Sequence, residues 1–256
     1  MQIGEKVAIV TGGASGIGRG TCEEFVRRGG RVVLFDLQDE AGRAAAKELG
    51  EECAHFVRVD VSNAGEVESG VQTALDRFGA VHVVLNAAGV PHAAKTVAAD
   101  GTPFPLETWD RVVAVNLTGT FNVARFAAAA MLRNEPEGGS AERGVIVNIS
   151  SGAAWQGQTG QVAYAATKAG VIGMVLPMAR DLAPRGIRVL AVAPGLFDTA
   201  MVSGLPEKVL DGLRRIPLFP KRMGHPEEIG ALVCSIVEIS YLNADCISVD
   251  AGARMT

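Results

Sequence analysis

The stretch VAIVTGGASGIGRG, residues 7–20, decides the fold that this sequence predicts. Its first five residues are apolar or β-branched, as in a buried strand, and the residues after the glycines continue as a helix. Gly12, Gly16 and Gly18 permit a tight turn, and the free N–H groups at the start of the helix could bind a pyrophosphate. The spacing is G-x-x-x-G-x-G and not G-x-G-x-x-G. Because glycine also ends strands for purely structural reasons, the turn by itself is weak evidence of such a site.

Short apolar runs alternate with helical patterns along the rest of the chain. Most runs are apolar on successive residues, which is typical of strands that are covered on both faces. This alternation predicts an α/β fold: a single domain over residues 1–256, with a Rossmann-type doubly wound sheet of about seven parallel strands and helices on both faces. The predicted strands are residues 6–11, 31–36, 55–61, 81–86, 144–150, 187–193 and 246–250, and the predicted helices are residues 16–29, 39–49, 63–78, 107–134, 161–182 and 226–239.

Three segments interrupt the alternation, residues 91–107, 134–144 and 194–226. The last is long, apolar and punctuated by proline, and long loops in compact domains often cover a site. We therefore expect a substrate loop at about residues 194–226. Its apolar side chains could line a pocket, and its basic side chains could either meet phosphate groups or form an ordinary solvated face. The apolar residues are Leu196, Phe197, Met201, Leu205, Leu218 and Phe219, and the basic residues are Lys208, Arg214, Arg215, Lys221 and Arg222.

Composition limits the classes of function. The chain has 256 residues, 48% of them hydrophobic, and a formal net charge of −4. This charge indicates no nucleic-acid partner, although a local basic patch is compatible with it. No apolar run reaches the length of a membrane span, and the N-terminus has no basic region or cleavage site of a signal peptide, so we expect no membrane partner. The four cysteines form no C-x-x-C pair and the four histidines show no ligand spacing, so we expect free thiols and no metal.

An acidic residue ends the second predicted strand. Asp36 lies eighteen residues after Gly18, where a carboxylate can accept hydrogen bonds from a ribose 2′-hydroxyl and would repel a 2′-phosphate. No Arg or Lys lies in the glycine turn before Gly18, and none directly follows Asp36. This pattern favours NAD over NADP as the cofactor. The alternative is that Asp36 caps the next helix, a role that Asp39 could serve equally well.

Six motifs occur in the order and spacing of the classical short-chain dehydrogenase/reductase family, which the chain resembles over essentially its whole length. They are TGGASGIG (11–18), NAAG (86–89), VNLTGTF (115–121), NISSGAA (148–154), YAATK (164–168) and RVLAVAPGLFDT (188–199). The resemblance implies hydride transfer between a substrate carbon and NAD. The cofactor-binding residues that it implies are Gly12, Ser15, Gly16, Ile17, Gly18, Asp36, Asp60, Val61, Asn86, Ala88, Gly89, Tyr164, Lys168, Pro194, Gly195, Phe197 and Thr199. Asp60 could equally be a plain helix cap.

The same resemblance gives four residues a catalytic role. Tyr164 and Lys168 are an i,i+4 pair on one helix face; taken alone such a pair is a common surface feature. In the family Tyr164 corresponds to the general acid/base, and the ammonium of Lys168 would stabilise its phenolate and lower its pKa. Ser151 corresponds to the substrate-orienting hydroxyl, the alternative being a turn residue. Asn116 corresponds to an asparagine that supports the lysine through a water-linked proton relay, the alternative being a helix residue bonded to backbone.

A narrower resemblance suggests the substrate. GQTGQVAYAATKAG (157–170), LPMARDLAP (176–184) and GLPEKV (204–209) are similar to the type-2 3-hydroxyacyl-CoA dehydrogenases. The implied reaction is the reversible, NAD-dependent oxidation of a 3-hydroxyacyl-CoA to the 3-oxoacyl-CoA, and the implied substrate residues are Ser151, Gln158, Tyr164 and Leu196. WQGQ (155–158) departs from the subfamily, which leaves the pocket shape open.

Two alternatives remain at this point: an NAD-dependent dehydrogenase of another secondary alcohol, such as a hydroxysteroid or a 3-oxoacyl carrier-protein type substrate, and a non-catalytic NAD-binding scaffold. The presence of Tyr164, Lys168, Ser151 and Asn116 together disfavours the scaffold. The resemblance also implies a homotetramer in which the helices at residues 107–134 and 161–182 pack across an interface. With no targeting extension, we expect a cytoplasmic protein.

Overall fold

The structure, a computed structural model, describes residues 1–137, 139, 141–199 and 207–254. The described residues contain a seven-stranded sheet of order β3-β2-β1-β4-β5-β6-β7, in which every neighbouring pair is parallel. The predicted Rossmann-type parallel sheet is confirmed. Its strands are β1 Val7–Thr11, β2 Arg31–Asp36, β3 Ala54–Arg58, β4 Val83–Asn86, β5 Gly144–Ile149, β6 Ile187–Pro194 and β7 Cys246–Val249.

Helices cover both faces of this sheet. In β1, Ala8 and Val10 lie in the buried hydrophobic cluster on one face of the sheet, and Ile9 lies in the cluster on the other face. Because both faces are covered, successive residues of a strand are apolar. The helices are α1 Gly16–Arg27, α2 Asp39–Leu49, α3 Ala64–Phe78, α4 Leu106–Val113, α5 Thr120–Met131, α6 Ala153–Gln156, α7 Val162–Leu182, α8 Glu207–Arg214 and α9 Pro226–Glu238.

The structure differs from the predicted elements at several places: the short helix α6 was not predicted, and three other differences are larger. The predicted helix 107–134 contains a π-helical segment, Ala114–Gly119, between α4 and α5. The third strand ends at Arg58 rather than at Val61, because the carboxylate of Asp60 accepts hydrogen bonds from the backbone N–H and the hydroxyl of Ser62 and so turns the chain away. Inside the expected substrate loop, α8 forms a short helix, while residues 200–206 of that loop, including Met201 and Leu205, lie outside the described residues.

Among the described residues, two helices are long and apolar enough to cross a membrane by length and composition alone. They span Leu106–Met131 and Val162–Arg185, and 50% and 33% of their most apolar windows are buried inside the fold. Helices that pack on a sheet also meet this criterion, and both of these pack inside this fold: α5 contacts β4 and β5, and α7 contacts β6.

The topology places the site. Strand order reverses between β1 and β4, and ligands of open α/β sheets bind beyond the carboxyl ends of the strands at such a point. The glycine turn follows β1, and Ala87–Gly89 follow β4.

Candidate active site

A crevice of about 450 Å³ opens at the carboxyl ends of the strands. Most of the residues that the sequence analysis proposed for cofactor, substrate or catalysis line it together. Three do not: Asn86, Asn116 and Gln158. The proposed residues that line the crevice are Gly12, Ser15, Gly16, Ile17, Gly18, Asp36, Asp60, Val61, Ala88, Gly89, Ser151, Tyr164, Lys168, Pro194, Gly195, Leu196, Phe197 and Thr199.

The glycine turn forms one end of the crevice. Gly12 and Gly16 have φ angles of +65° and +52°, a conformation that side chains other than glycine rarely adopt. A Cβ atom on Gly18 would lie 2.2 Å from the carbonyl oxygen of Gly12, so the first turn of α1 packs directly on the turn. The turn and the free N–H groups of α1 therefore form a cradle that suits a pyrophosphate.

Asp36 is held by the backbone on both sides. Its Oδ2 accepts the N–H of Ala14 at 3.1 Å, and its Oδ1 accepts the N–H of Gln38 at 3.1 Å. The second bond belongs to the turn before α2, whose N-cap is Gln38 and not Asp36. Among the described residues Asp36 has no ion-pair partner, so its negative charge faces the crevice uncompensated.

Asp60 and Val61 line the crevice beyond β3, the strand next to the one that Asp36 ends. The bonds of Asp60 to Ser62 fix the turn, whereas the side chain of Asn63 caps α3 by accepting the N–H groups of Gly65 and Glu66. Asp60 is therefore a turn residue whose position lines the crevice, and the proposed cap role belongs to Asn63.

Tyr164 and Ser151 both line the catalytic end of the crevice. Burial raises the pKa of Tyr164 above its usual value, and the Ser151 hydroxyl opposes that effect by stabilising the phenolate. We expected the ammonium of Lys168 to lower this pKa. In the structure its Nζ lies 5.7 Å from the centroid of the Tyr164 ring, and the group that lowers the pKa is the Ser151 hydroxyl.

Lys168 is buried and tied to the end of β5 at two atoms. Its Nζ donates to the carbonyl of Ile149 at 2.8 Å, and its own carbonyl accepts the hydroxyl of Ser150 at 2.8 Å. Burial lowers the pKa of Lys168 to about 8. These two bonds fix the position of α7 against β5, and therefore the position of Tyr164 above Ser151.

Asn116 lies in the π-helical segment and is fully buried. Its Oδ1 accepts the N–H of Val90 at 2.8 Å, and its Nδ2 donates to the carbonyl of Val90 at 3.1 Å and to Thr167 Oγ1 at 3.4 Å. The side chain thus holds the backbone of Val90, which lines the crevice. Two of these three bonds go to the backbone of Val90 and the third goes to the side chain of Thr167; the expected water-linked support of Lys168 by Asn116 stays a prediction.

Asn86 and Gln158 also have partners outside the crevice. Asn86 is buried, and its Nδ2 donates to Asn148 Oδ1 at 2.9 Å, so it joins β4 to β5 beneath the site. Gln158 pairs with Gln161, whose Nε2 donates to Gln158 Oε1 at 3.4 Å. It lines a separate surface groove beside residues 95–97. The sequence analysis placed both residues in the site because Asn86 begins the NAAG motif and Gln158 belongs to the stretch that resembles the type-2 subfamily. Neither resemblance fixes the direction of a side chain.

The sequence analysis missed several residues of the crevice. Most adjoin a motif that it used, as Val90 follows NAAG and Ser150 precedes Ser151, so their neighbours were the available signal. The missed lining residues are Phe35, Leu37, Gln38, Val59, Ala87, Val90, Val115, Ile149 and Ser150.

Comparison with known proteins identifies the family. The profile of the short chain dehydrogenase family matches residues 6–209. The chain is 47% identical to 3-hydroxyacyl-CoA dehydrogenase type-2 from Homo sapiens, with 97% of this chain and 95% of that protein covered. It is 46% identical to the protein of the same name from Drosophila melanogaster, with 99% of each covered. The crystal structure of 3-hydroxyacyl-CoA dehydrogenase type-2 from Mycobacterium avium superimposes with a TM-score of 0.93 at 34% identity and covers 100% of this chain and 98% of that one.

The chain therefore belongs to the short chain dehydrogenase family. It is an oxidoreductase, and its family implies a nicotinamide cofactor.

Proposed function

We propose that this member of the short chain dehydrogenase family catalyses the reversible, NAD-dependent oxidation of a 3-hydroxyacyl-CoA to the 3-oxoacyl-CoA, with Tyr164 as general acid/base. The observation that carries the proposal is the combination of two findings. The chain is similar over nearly its whole length to proteins named 3-hydroxyacyl-CoA dehydrogenase type-2. It also gathers Ser151, Tyr164 and Lys168 at one end of a crevice whose other end is a glycine cradle.

The preference for NAD rests on Asp36. Two backbone N–H groups hold its carboxylate at the wall of the crevice, where it can accept hydrogen bonds from a ribose 2′-hydroxyl. A 2′-phosphate at the same place would meet an uncompensated negative charge. The cradle formed by Gly12, Gly16 and Gly18 suits the pyrophosphate of the same cofactor.

The protein residues manage the proton of the reaction. When bound, the nicotinamide supplies hydride transfer. Tyr164, whose raised pKa keeps its hydroxyl protonated in the free protein, donates a proton to the substrate oxygen during reduction and accepts it during oxidation. Ser151, which lines the crevice together with Tyr164, orients that oxygen. Lys168 is held at the end of β5, where it can bind the nicotinamide ribose.

The test is the initial rate of acetoacetyl-CoA reduction with NADH and, separately, with NADPH. We expect preference for NADH and loss of turnover in Tyr164→Phe with the fold and NADH binding intact. Tyr241→Phe is the matched control, because Tyr241 is the other tyrosine of the chain and is fully exposed. Absence of turnover in a folded, NADH-binding protein would refute the CoA assignment and point to another secondary alcohol, such as a hydroxysteroid or a carrier-protein substrate. Preference for NADPH would refute the role of Asp36.

We further propose a homotetramer, supported by apolar side chains that α5 and α7 leave exposed. Phe121, Val162 and Leu176 are 45%, 43% and 44% exposed, and association would remove that surface from water. Light scattering after size-exclusion chromatography tests this, and a monomer would contradict it. The cytoplasmic location stays a prediction.

A further inference from the structure

We infer that the nucleotide end of the CoA substrate docks on a basic rim formed by Arg215 and Lys221, beside the exposed ring of Phe219. This inference rests on the proposed function, since it concerns the part of the substrate that lies outside the catalytic crevice. Nothing in the reaction itself requires a site there, because the reacting carbon and the nucleotide lie at opposite ends of CoA esters.

The structure separates four of the five basic residues of the loop, all but Lys208, into two groups. Arg214 contacts Glu207 at 2.6 Å and Asp211 at 3.1 Å, and Arg222 contacts the carboxylate of Glu228 through two nitrogens, at 2.8 and 3.0 Å. These arginines are neutralised by their neighbours.

Arg215 and Lys221 differ from them. Both side chains are exposed, and among the described residues neither has a carboxylate partner. The Nζ of Lys221 donates to the carbonyl of Arg215 at 3.4 Å, so the loop brings the two residues together. Two cations on one short loop, neither with an acidic partner in the described part of the chain, form a local positive charge that can accept a phosphate group.

An aromatic ring adjoins this pair of cations. Phe219 is 84% exposed and Leu218 is 68% exposed. Their backbone is fixed, because the N–H groups of both residues donate to the carbonyl of Ala251, at 2.9 Å from Leu218 and 3.4 Å from Phe219. The ring is therefore presented by an anchored backbone. Exposed apolar groups beside cations are suited to a nucleotide, whose base stacks on an aromatic ring while its phosphates meet the charges.

The rim is connected to the crevice by the chain itself. The N–H of Gly224 donates to the carbonyl of Leu196 at 2.9 Å, and the N–H of Asp198 donates to the carbonyl of Gly224 at 2.8 Å. Leu196 and Phe197 line the crevice, and the ring of Phe197 packs so closely on Gly224 that a Cβ there would lie 2.5 Å away. The segment that carries the rim thus ends on the crevice wall, so an acyl-CoA bound at Tyr164 can leave the crevice along it.

The positive charge of the rim favours the nucleotide end of CoA over an apolar ligand. The nucleotide end of CoA carries a pyrophosphate and a 3′-phosphate, whereas the chain has a net charge of −4 and would repel it in the absence of a local positive site. A second copy of this chain could instead cover Leu218 and Phe219. That copy would carry the same cations at a symmetric contact, which would oppose association through this rim.

The experiment compares two substrates that react at the same carbon. Acetoacetyl-CoA carries the nucleotide, and the N-acetylcysteamine thioester of acetoacetate lacks it. We would measure kcat/KM for both with NADH in the wild type, in the double variant Arg215→Ala/Lys221→Ala and in Phe219→Ala. The matched control is Arg214→Ala, which removes a neighbouring arginine that already has acidic partners. Size-exclusion chromatography of each variant reports the oligomeric state.

We expect the double variant to lose about tenfold in kcat/KM for the CoA ester, mainly through KM, and less than twofold for the short thioester. Its rate with the CoA ester should also depend less on salt. Equal losses of kcat/KM for both substrates in the double variant, or no loss for the CoA ester, would overturn the inference. A change of oligomeric state in Phe219→Ala without a change in KM for the CoA ester would also overturn it. If the wild type turns over neither thioester but reduces another ketone with NADH, the proposed function fails and this inference fails with it.

Discussion

Replacing Gly18 by alanine should weaken NADH binding by about a hundredfold, because the added methyl group has no room. A Cβ at this position would lie 2.2 Å from the carbonyl oxygen of Gly12, whereas real contacts of this type stay above about 3.0 Å. Relief requires α1 to move away from the glycine turn by about 1 Å. A misplacement of that size in a positioning element can change a rate or affinity by about a hundredfold, and overpacking costs about 1–3 kcal/mol of stability.

The assay is titration of the protein with NADH, followed by cofactor fluorescence, beside a thermal unfolding curve. Gly65→Ala is the matched control, because Gly65 also lies in the first turn of a helix, α3, and its Cβ would have an ordinary contact of 3.5 Å with Asn63. This control should bind NADH as the wild type does. A folded Gly18→Ala protein whose NADH dissociation constant stays within threefold of the wild-type value would refute the steric argument.

Three further predictions concern the catalytic end and the core. Lys168→Met should abolish turnover yet stabilise the free protein by about 2 kcal/mol at pH 7, because burial lowers the pKa of Lys168 from 10.5 to about 8. Between pH 8 and 10.5 the unfolded wild type binds one proton more than the folded wild type, so wild-type stability rises with pH. The difference in unfolding free energy between the two proteins, measured in urea, should therefore shrink over this range. A constant difference would contradict the prediction. Ser150→Ala removes the hydroxyl that donates to the carbonyl of Lys168. It should lower kcat about tenfold and the free energy of unfolding by about 1 kcal/mol. An unchanged kcat would show that this bond does not position α7. Arg188→Met removes the partner that lies 2.6 Å from the buried carboxylate of Glu142, so it should lower the free energy of unfolding by about 3 kcal/mol. Urea unfolding measures this loss, and kcat per folded molecule should stay unchanged. A loss of stability below about 1 kcal/mol would contradict the prediction.

Side-chain direction limited what the sequence could predict about the site. Asn116 was assigned from its motif, but a motif does not show that the π-helical segment turns this side chain onto the backbone of Val90. Asn86 ends β4 as expected, yet it faces Asn148 on the neighbouring strand because the parallel register pairs these two residues. Gln158 lies near Tyr164 in sequence but bonds to Gln161 beside a separate groove.

The ion pairs of the substrate loop show the same limit. Arg214 and Arg215 are adjacent and chemically identical in the sequence, and only the folded loop neutralises one with Glu207 and Asp211 and leaves the other without an acidic partner among the described residues. Such pairing depends on where the helix ends, because Arg214 is the last residue of α8 and Arg215 lies beyond it.

The sequence by itself determined the parallel sheet, the glycine cradle and the Tyr164–Lys168 pair, because these depend on local periodicity and on fixed spacings within one element. Tertiary structure alone decided which side chains reach the crevice and what surrounds them. Lys168 illustrates the reason. Its spacing from Tyr164 is local, but its burial, its bond to Ile149 and its lowered pKa arise from α7 packing against β5, a separate element whose Ile149 lies 19 residues earlier in the chain. Contacts between distant segments set the solvation and hydrogen bonding of a group, and these in turn set its chemistry.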